Sequence, residues 1–381
     1  VDHSAARTTA ANQLHVVLVL AAATGGIGAH VRSLAHGLVA HGVTVTVCAP
    51  DGSDQLFGFS RAGARLHTVE ITPTAGARSD ALAIGELRKA FTGADVVHAH
   101  GMRAALLSDL ALRTAGRFPG LRPQTPLVVT SHHAMLATGM ERRLQRLMER
   151  RVVRAADLVL GASSDLVARA RELGATDARL GPVAAPPIPL GRLDRAASRA
   201  ALAAGEKQPV VLAVGRLVPQ KCFGLLLDAV PQFADAEPMV LLVGDGPERA
   251  ALRERITNEK LPVDLLGYRT DVPDLLAAAD VVVVSSRWEA RSLVVQEAMR
   301  AGVPVVSTAV GGVPELVGDA AVLVPFADPA ALGGAVRELL ADPDRRARLA
   351  DAGRQQATTW PDEAATVAQV LSTYDELVQR G

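Results

Sequence analysis

Glu289 and Glu297 lie in the run Ser286-Arg-Trp-Glu-Ala-Arg-Ser-Leu-Val-Val-Gln-Glu-Ala-Met-Arg-Ala-Gly-Val-Pro-Val-Val306. Asp280–Ser285, just before it, reads as a buried strand, and the residues after Ser292 read as a short helix closed by Gly302. Glu289 therefore falls in a strand-to-helix loop and Glu297 inside the helix. A helix N-terminus offers free N–H groups and the positive end of a dipole, which suits a phosphate. A carboxylate on each side suits neutral hydroxyls, whose hydrogens it accepts. Phosphate flanked by polyol is the chemistry of a nucleotide sugar.

Cations are available for the same phosphate. Gly215-Arg-Leu-Val-Pro-Gln-Lys-Cys222 follows the apolar run Val210–Val214 and supplies Arg216 and Lys221. A positioned cation stabilises a departing diphosphate more in the transition state than in the ground state. Thr24-Gly-Gly-Ile-Gly28 follows the first apolar run and opens a helix, where glycine permits a tight turn and close backbone approach to a ligand. Val129-Thr-Ser-His-His-Ala134 and His98-Ala-His100-Gly101 place histidines after two further strands. A histidine there hydrogen-bonds a hydroxyl or carries a proton. No acid or cysteine accompanies these histidines, so no metal is expected. Asp342-Pro-Asp344 has the look of a metal-binding acidic pair but falls in a turn between helices.

The elements that must position these groups alternate along the whole chain. Leu14–Leu20, Thr44–Cys48, Leu66–Ile71, Asp95–His98, Leu127–Thr130 and Asp157–Leu160 read as strands, with helical stretches such as Ala29–Ala40 and Ala104–Ala115 between them. Four prolines in Gly181-Pro-Val-Ala-Ala-Pro-Pro-Ile-Pro189 stop the pattern and read as an interdomain connection. It then restarts with Val210–Val214, Met239–Val243, Val263–Leu266, Asp280–Val284, Val305–Ser307 and Ala321–Val324. Asp362–Gln379 reads as a terminal helix. The expected fold is α/β, with two doubly wound Rossmann-like domains. Boundaries fall at a disordered tail 1–12, a first domain 13–185, a second 186–358 and a terminal helical segment 359–381.

These motifs resemble glycosyltransferase family 4, whose Glu-x7-Glu segment matches Glu289 and Glu297 and whose Gly-Arg-Leu-x-x-x-Lys segment matches Gly215–Lys221. The resemblance spans roughly residues 14–380 and is more specific in the second half. It implies the GT-B architecture, two Rossmann-like domains facing a central cleft, with the terminal helix crossing back to the first. It also implies a retaining, metal-independent transfer from a nucleoside-diphosphate sugar, a co-substrate rather than a bound cofactor. Under it Glu289 contacts the transferred sugar and Glu297 the ribose. Arg216, Lys221 and the amides of Leu293 and Val294 hold the diphosphate, while Gly244, Gly267 and Tyr268 border the nucleotide. Gly25 and Gly26 approach donor and acceptor, His132 stands at the reacting sugar, and His98, His100 and His133 line the acceptor side. The expected acceptor is a small molecule, a glycan or a lipid-linked molecule.

Three positions depart from the family pattern: Ala290 and Cys222 where glycine is usual, and Ser292 where proline is frequent. If those glycines are left-handed, the replacements imply local strain or a reshaped loop. Ser292 is expected to cap the helix. Thr24–Gly28 also looks like the cofactor loop of short-chain dehydrogenases. Their Tyr-x-x-x-Lys pair is absent, since Val272 and Val378 follow the only two tyrosines, Tyr268 and Tyr374, at that spacing. Two alternatives stand beside the transferase: another GT-B enzyme such as a sugar-nucleotide epimerase, and a non-catalytic nucleotide-sugar-binding protein.

Composition bounds the rest. The 381 residues are 49% hydrophobic and 21% charged, enough for more than one core. Formal net charge is zero, which argues against nucleic acid as a partner. Cys48 and Cys222 lack metal or redox spacing. With no secretory or membrane-spanning stretch, a cytoplasmic bacterial protein is expected. Glu141–Ala155 carries Arg142, Arg143, Arg146, Arg150, Arg151 and Arg154 beside a stripe of Leu144, Leu147, Met148 and Val152. Two readings apply: weak peripheral contact with the inner membrane face, or a solvated face above an ordinary core stripe, the latter favoured.

Overall fold

The computed structural model describes residues 13–21, 26–72, 76–114, 125–134, 139–181, 183–184, 191–205 and 207–380. The expected tail, Gly25, and residues 182 and 185–190 of the proline-rich connection lie outside the described residues. The chain divides into two compact units. One takes in residues 1–162, 166–186 and 361–381, and the other residues 163–165 and 187–360.

The first unit is a seven-stranded sheet: β1 (His15–Leu20), β2 (Thr44–Ala49), β3 (Arg65–Thr68), β4 (Val96–His100), β5 (Leu127–Ser131), β6 (Leu158–Gly161) and β7 (Ala178–Leu180). Its order is β3-β2-β1-β4-β5-β6-β7, and every pairing is parallel. The second unit is a six-stranded sheet: β8 (Val210–Val214), β9 (Met239–Val243), β10 (Val263–Gly267), β11 (Val281–Val284), β12 (Val305–Thr308) and β13 (Val322–Val324). Its order, β10-β9-β8-β11-β12-β13, repeats that scheme, again all parallel. Each is a Rossmann-like sheet whose strand order reverses beside its first strand, and ligands of such sheets bind at that reversal.

The strands are valine-rich because helices cover both faces. Val16, Leu18 and Leu20 pack with one core, while Val17 and Val19 pack with another on the opposite side. The terminal helix Glu363–Arg380 belongs to the first unit, where Val367, Val370, Tyr374 and Leu377 join Val31, Leu34 and Leu38 of the helix Gly26–Ala40.

Three aspartates explain why strands expected to start at Asp95, Asp157 and Asp280 begin one residue later. Each aspartate brackets the start of the neighbouring strand. Asp95 N–H donates to His15 C=O at 2.8 Å while its carboxylate accepts His15 N–H at 2.9 Å. Asp157 does the same to Leu127 at 2.9 and 2.8 Å. Asp280 does so to Val210 at 2.8 Å in both directions. The recurrent Asp-apolar-Val start is thus a register pin, in which the carboxylate satisfies the first free N–H of the next strand.

The basic helix runs over Gly139–Ala155, with a correction to its apolar stripe. Val152 is buried, but Leu144 and Leu147 are 60% and 64% exposed, so the first half of the stripe does not enter the core. Glu149 is buried and pairs with Arg169 at 2.9 Å. Among the described residues no helix is long and apolar enough to cross a membrane.

The register pins predict an asymmetry between two substitutions. Asp157→Ala leaves the Leu127 N–H without its partner and lowers stability by about 1–3 kcal/mol. Asp157→Asn keeps an acceptor and recovers most of that loss. Urea unfolding monitored by circular dichroism reads both, and equal stability of the alanine variant and the parent contradicts the pin.

Candidate functional site

At the reversal of the second sheet, β8 and β11 pair over two positions only, Val211 with Val281 and Leu212 with Val282. Beyond them the strands part, and the loops after Val214 and Val284 leave from the parting. Three hydrogen bonds tie these loops together. Arg287 N–H donates to Gln220 C=O at 2.8 Å, Gln220 Nε2 to Trp288 C=O at 2.9 Å, and the Ser285 hydroxyl to Lys221 C=O at 3.1 Å. Two motifs separated by some seventy residues of sequence thereby share one site.

Lys221 and Glu289 meet there. Lys221 Nζ donates to Glu289 Oε1 at 2.5 Å, and the Ser286 hydroxyl donates to the same oxygen at 2.5 Å. Their side chains are 20% and 8% exposed, so the pair is largely withdrawn from water. Attraction is stronger in such surroundings, and removing either partner strands the other. The sequence assigned Lys221 to a diphosphate and Glu289 to a sugar without foreseeing that they pair. Arg216 is exposed at the end of β8.

The Glu289 backbone is clamped from behind. Gly312 N–H donates to Glu289 C=O at 2.8 Å. A Cβ at Gly311 would strike the Glu289 carbonyl oxygen, and one at Gly312 would strike that of Ala290. Cys222 is left-handed, with φ 50° and ψ 44°, a conformation costing a side-chain-bearing residue about 1–2 kcal/mol. Ala290 is buried and carries no such strain, so that departure leaves no left-handed kink in the loop.

The helix Leu293–Ala301 starts from Ser292, but the expected cap is corrected: the hydroxyl makes no cap bond. The first intrahelical bond is Gln296 N–H to Ser292 C=O at 3.2 Å, which leaves the Leu293 and Val294 amides in the open first turn. Two side chains unremarked in the sequence, Arg291 and Gln296, stand here with Ser292. Ser292 Oγ, both polar atoms of the Gln296 amide, and Arg291 Nε and Nη2 are buried without a partner. Ser292 and Gln296 share one helical face by their spacing. Burial pushes the Arg291 guanidinium pKa down, opposed by the Glu315 charge. Glu297 is half-buried, and burial raises its carboxyl pKa against the pull of Arg300.

Gly244 has φ 143°, donates its N–H to Gly267 C=O at 2.8 Å, and leaves no room for a Cβ beside the Gly215 carbonyl. The ends of β8, β9 and β10 are thus knitted by glycine backbone. Tyr268 follows β10 and is 76% exposed. Asp342 proves to be a helix cap, accepting Arg345 N–H at 2.7 Å.

In the first unit, Gly26 opens the first helix, His100 ends β4, and His132 follows β5. His100 and His132 are buried, with Nδ1 of one 3.2 Å from Nε2 of the other. Burial drives both pKa values well below 6.5, so both rings are neutral at neutral pH. His133 is exposed. His98 requires a correction. It is 0% exposed, bonded through Nδ1 to Tyr374 Oη at 2.6 Å and through Nε2 to Thr130 Oγ1 at 2.6 Å. Burial lowers its pKa to about 3. It fastens the terminal helix to the sheet and lines no ligand surface. His30, on the first helix, was not singled out in the sequence, yet it joins His100 and His132.

Comparison with known proteins gives the family and the fold. The family described as "Glycosyl transferases group 1" matches residues 194–356, and that described as "Glycosyl transferase 4-like domain" matches residues 25–186. A D-inositol 3-phosphate glycosyltransferase of Segniliparus rotundus is 30% identical over 393 residues, 94% of this chain and 86% of the relative. One of Geodermatophilus obscurus is 33% identical over 309 residues, 74% of this chain; the chain spans 66% of that relative's length. The crystal structure of Anabaena HepE with UDP-glucose superposes with a TM-score of 0.78 at 21% identity, covering 96% of this chain and all of that one, which speaks to the fold. The chain belongs to glycosyltransferase family 4 and has the GT-B fold.

Proposed function

We propose that this chain transfers a sugar from a nucleoside-diphosphate sugar to an acceptor hydroxyl with retention at the anomeric carbon. The observation that carries the reading is the meeting of Lys221 and Glu289 at the reversal of the second sheet, beside an uncapped helix N-terminus. Lys221, Arg216 and the amides of Leu293 and Val294 hold the diphosphate. These cations and the helix dipole neutralise charge developing on the leaving group, so no divalent metal is required there. Glu289 accepts hydrogen bonds from the sugar hydroxyls, and Glu297 accepts from the ribose. The Tyr268 ring offers a stacking face to the base. Substitution takes place on the face the diphosphate leaves, and the departing phosphate oxygen receives the acceptor proton. His132, neutral in its pocket, bonds a sugar hydroxyl as acceptor or donor.

A phosphorylated cyclitol, named for two relatives, is the first acceptor to try, and UDP-glucose, bound in the HepE crystal structure, the first donor to try. Release of nucleoside diphosphate that needs both donor and acceptor, with an axial donor bond giving an axial product bond by NMR, is the expected outcome. Donor binding without turnover on any acceptor favours the binding-protein alternative. Interconversion of the donor without an acceptor favours an epimerase.

Lys221→Ala is expected to lower kcat by about 10²–10³, the usual loss of one group aimed at developing charge. An unchanged kcat removes Lys221 from the leaving-group role.

The raised Glu297 pKa gives a pH signature. Only the ionised carboxylate accepts both ribose hydroxyls, so donor affinity is full above the raised pKa and falls as pH drops through it. The fall begins above the range of an ordinary glutamate, and Glu297→Gln flattens it. A KM–pH profile unaltered in that variant contradicts the ribose assignment.

A further inference from the structure

The basic helix Gly139–Ala155 has an inward and an outward side. Glu149, Val152 and Val153 are buried and mark the side turned to the core. By helical geometry Leu147 falls nearly opposite them, in the middle of the outward side. Leu144 adjoins it one turn earlier, and both leucines are exposed. They are therefore not the ragged edge of a core stripe. Single exposed leucines such as Leu56 and Leu82 are ordinary, whereas an adjoining pair at the centre of a solvent face calls for a partner. Arg143, Arg150 and Arg151 neighbour Leu147 at three- and four-residue spacing, so guanidinium groups ring the apolar centre.

The arginines are only partly used by the fold. Arg146 pairs with Glu172 at 3.2 Å, Arg151 pairs with Asp109 at 3.3 Å, and Arg154 Nε donates to Leu173 C=O at 3.2 Å. Asp109 also takes Arg113, and Glu149 is occupied by Arg169. Arg142, Arg143 and Arg150 are exposed and take part in no ion pair among the described residues. The outward side thus carries uncompensated positive charge around the two leucines. A soluble polyanion would satisfy the arginines and leave the leucines in water. A bilayer interface with anionic head groups satisfies both. The guanidinium groups stay at the phosphates, while their aliphatic stems and the leucines enter the acyl boundary.

We propose that the helix Gly139–Ala155 docks the first unit on an anionic lipid surface. The helix lies in the plane of the interface, with Leu144 and Leu147 inserted and Arg143 and Arg150 at head-group phosphates. The exposure of the two leucines reverses the preference that the sequence pattern alone supported. Attachment by so short an apolar stripe is reversible and depends on the negative surface charge of the membrane. The proposal concerns one helix of the first unit and does not rest on the transferase reading. Its test needs neither donor nor acceptor.

The full-length chain is co-sedimented with vesicles of phosphatidylcholine alone and with vesicles of phosphatidylcholine and phosphatidylglycerol in equal parts, at low and at high salt. Binding is expected to the mixed vesicles only, weakening steeply as salt screens the head groups. Arg143→Gln and Arg150→Gln each lower partitioning about fivefold. Leu144→Gln/Leu147→Gln lowers it about tenfold or more and leaves the salt dependence in place. Leu82→Gln, at an exposed leucine of the helix Ala77–Ala90, changes nothing. These side chains all face water, so the circular dichroism of each variant matches that of the parent. No binding of the parent to the mixed vesicles overturns the proposal. So does full retention of binding in the leucine double variant, which assigns the arginines to a soluble polyanion such as nucleic acid or an acidic protein.

Discussion

The contact between Lys221 and Glu289 is the interaction on which the second unit's site depends. A primary ammonium and a carboxylate, both mostly out of water, sit on loops that parallel strands alone do not bring together. Their approach is possible because β8 and β11 stop pairing after two positions, and the parted loops are then re-tied by the hydrogen bonds of Gln220, Ser285 and Arg287. Glycines 311 and 312 let another loop press on the Glu289 backbone from behind. Neither charge is free to be chosen independently of the other. A ligand with both a diphosphate and hydroxyls can take the cation and the carboxylate at once, which a simple anion cannot.

Much of this was legible in the residues. Parallel strands covered on both faces are apolar on consecutive positions, so their boundaries were read to within a residue or two at most ends. β7 was not read, because Ala178-Arg-Leu at a sheet edge is too short and too polar to stand out. β3 ended earlier than expected: Val69 and Ile71 are buried, but they pack after the ladder has ended. The aspartates before β4, β6 and β11 were read as strand because nothing in composition separates a first strand residue from a pin beside it.

Side-chain partnerships were less legible. His98 and His100 alternate along one strand, and each looked equally suited to face a ligand. Tyr374, hundreds of residues away in sequence, claims His98. Conversely His30 sits in an ordinary amphipathic helix, and only its ring's closeness to His100 and His132 in the folded chain reveals it as the third corner of a triangle. Ser292 has the identity of a cap but not its bond, and the stripe at Leu144 and Leu147 has the period of a core face without a core above it. Each case turns on a tertiary neighbour, which local pattern does not encode.

The most direct measurement is calorimetric titration of the chain with UDP, GDP, ADP and dTDP, repeated with Arg216→Ala and Lys221→Ala. The account predicts that one nucleoside diphosphate binds the parent and that loss of either cation abolishes or sharply weakens that binding. Unchanged affinity in both variants would show that the diphosphate is not held where β8 and β11 part.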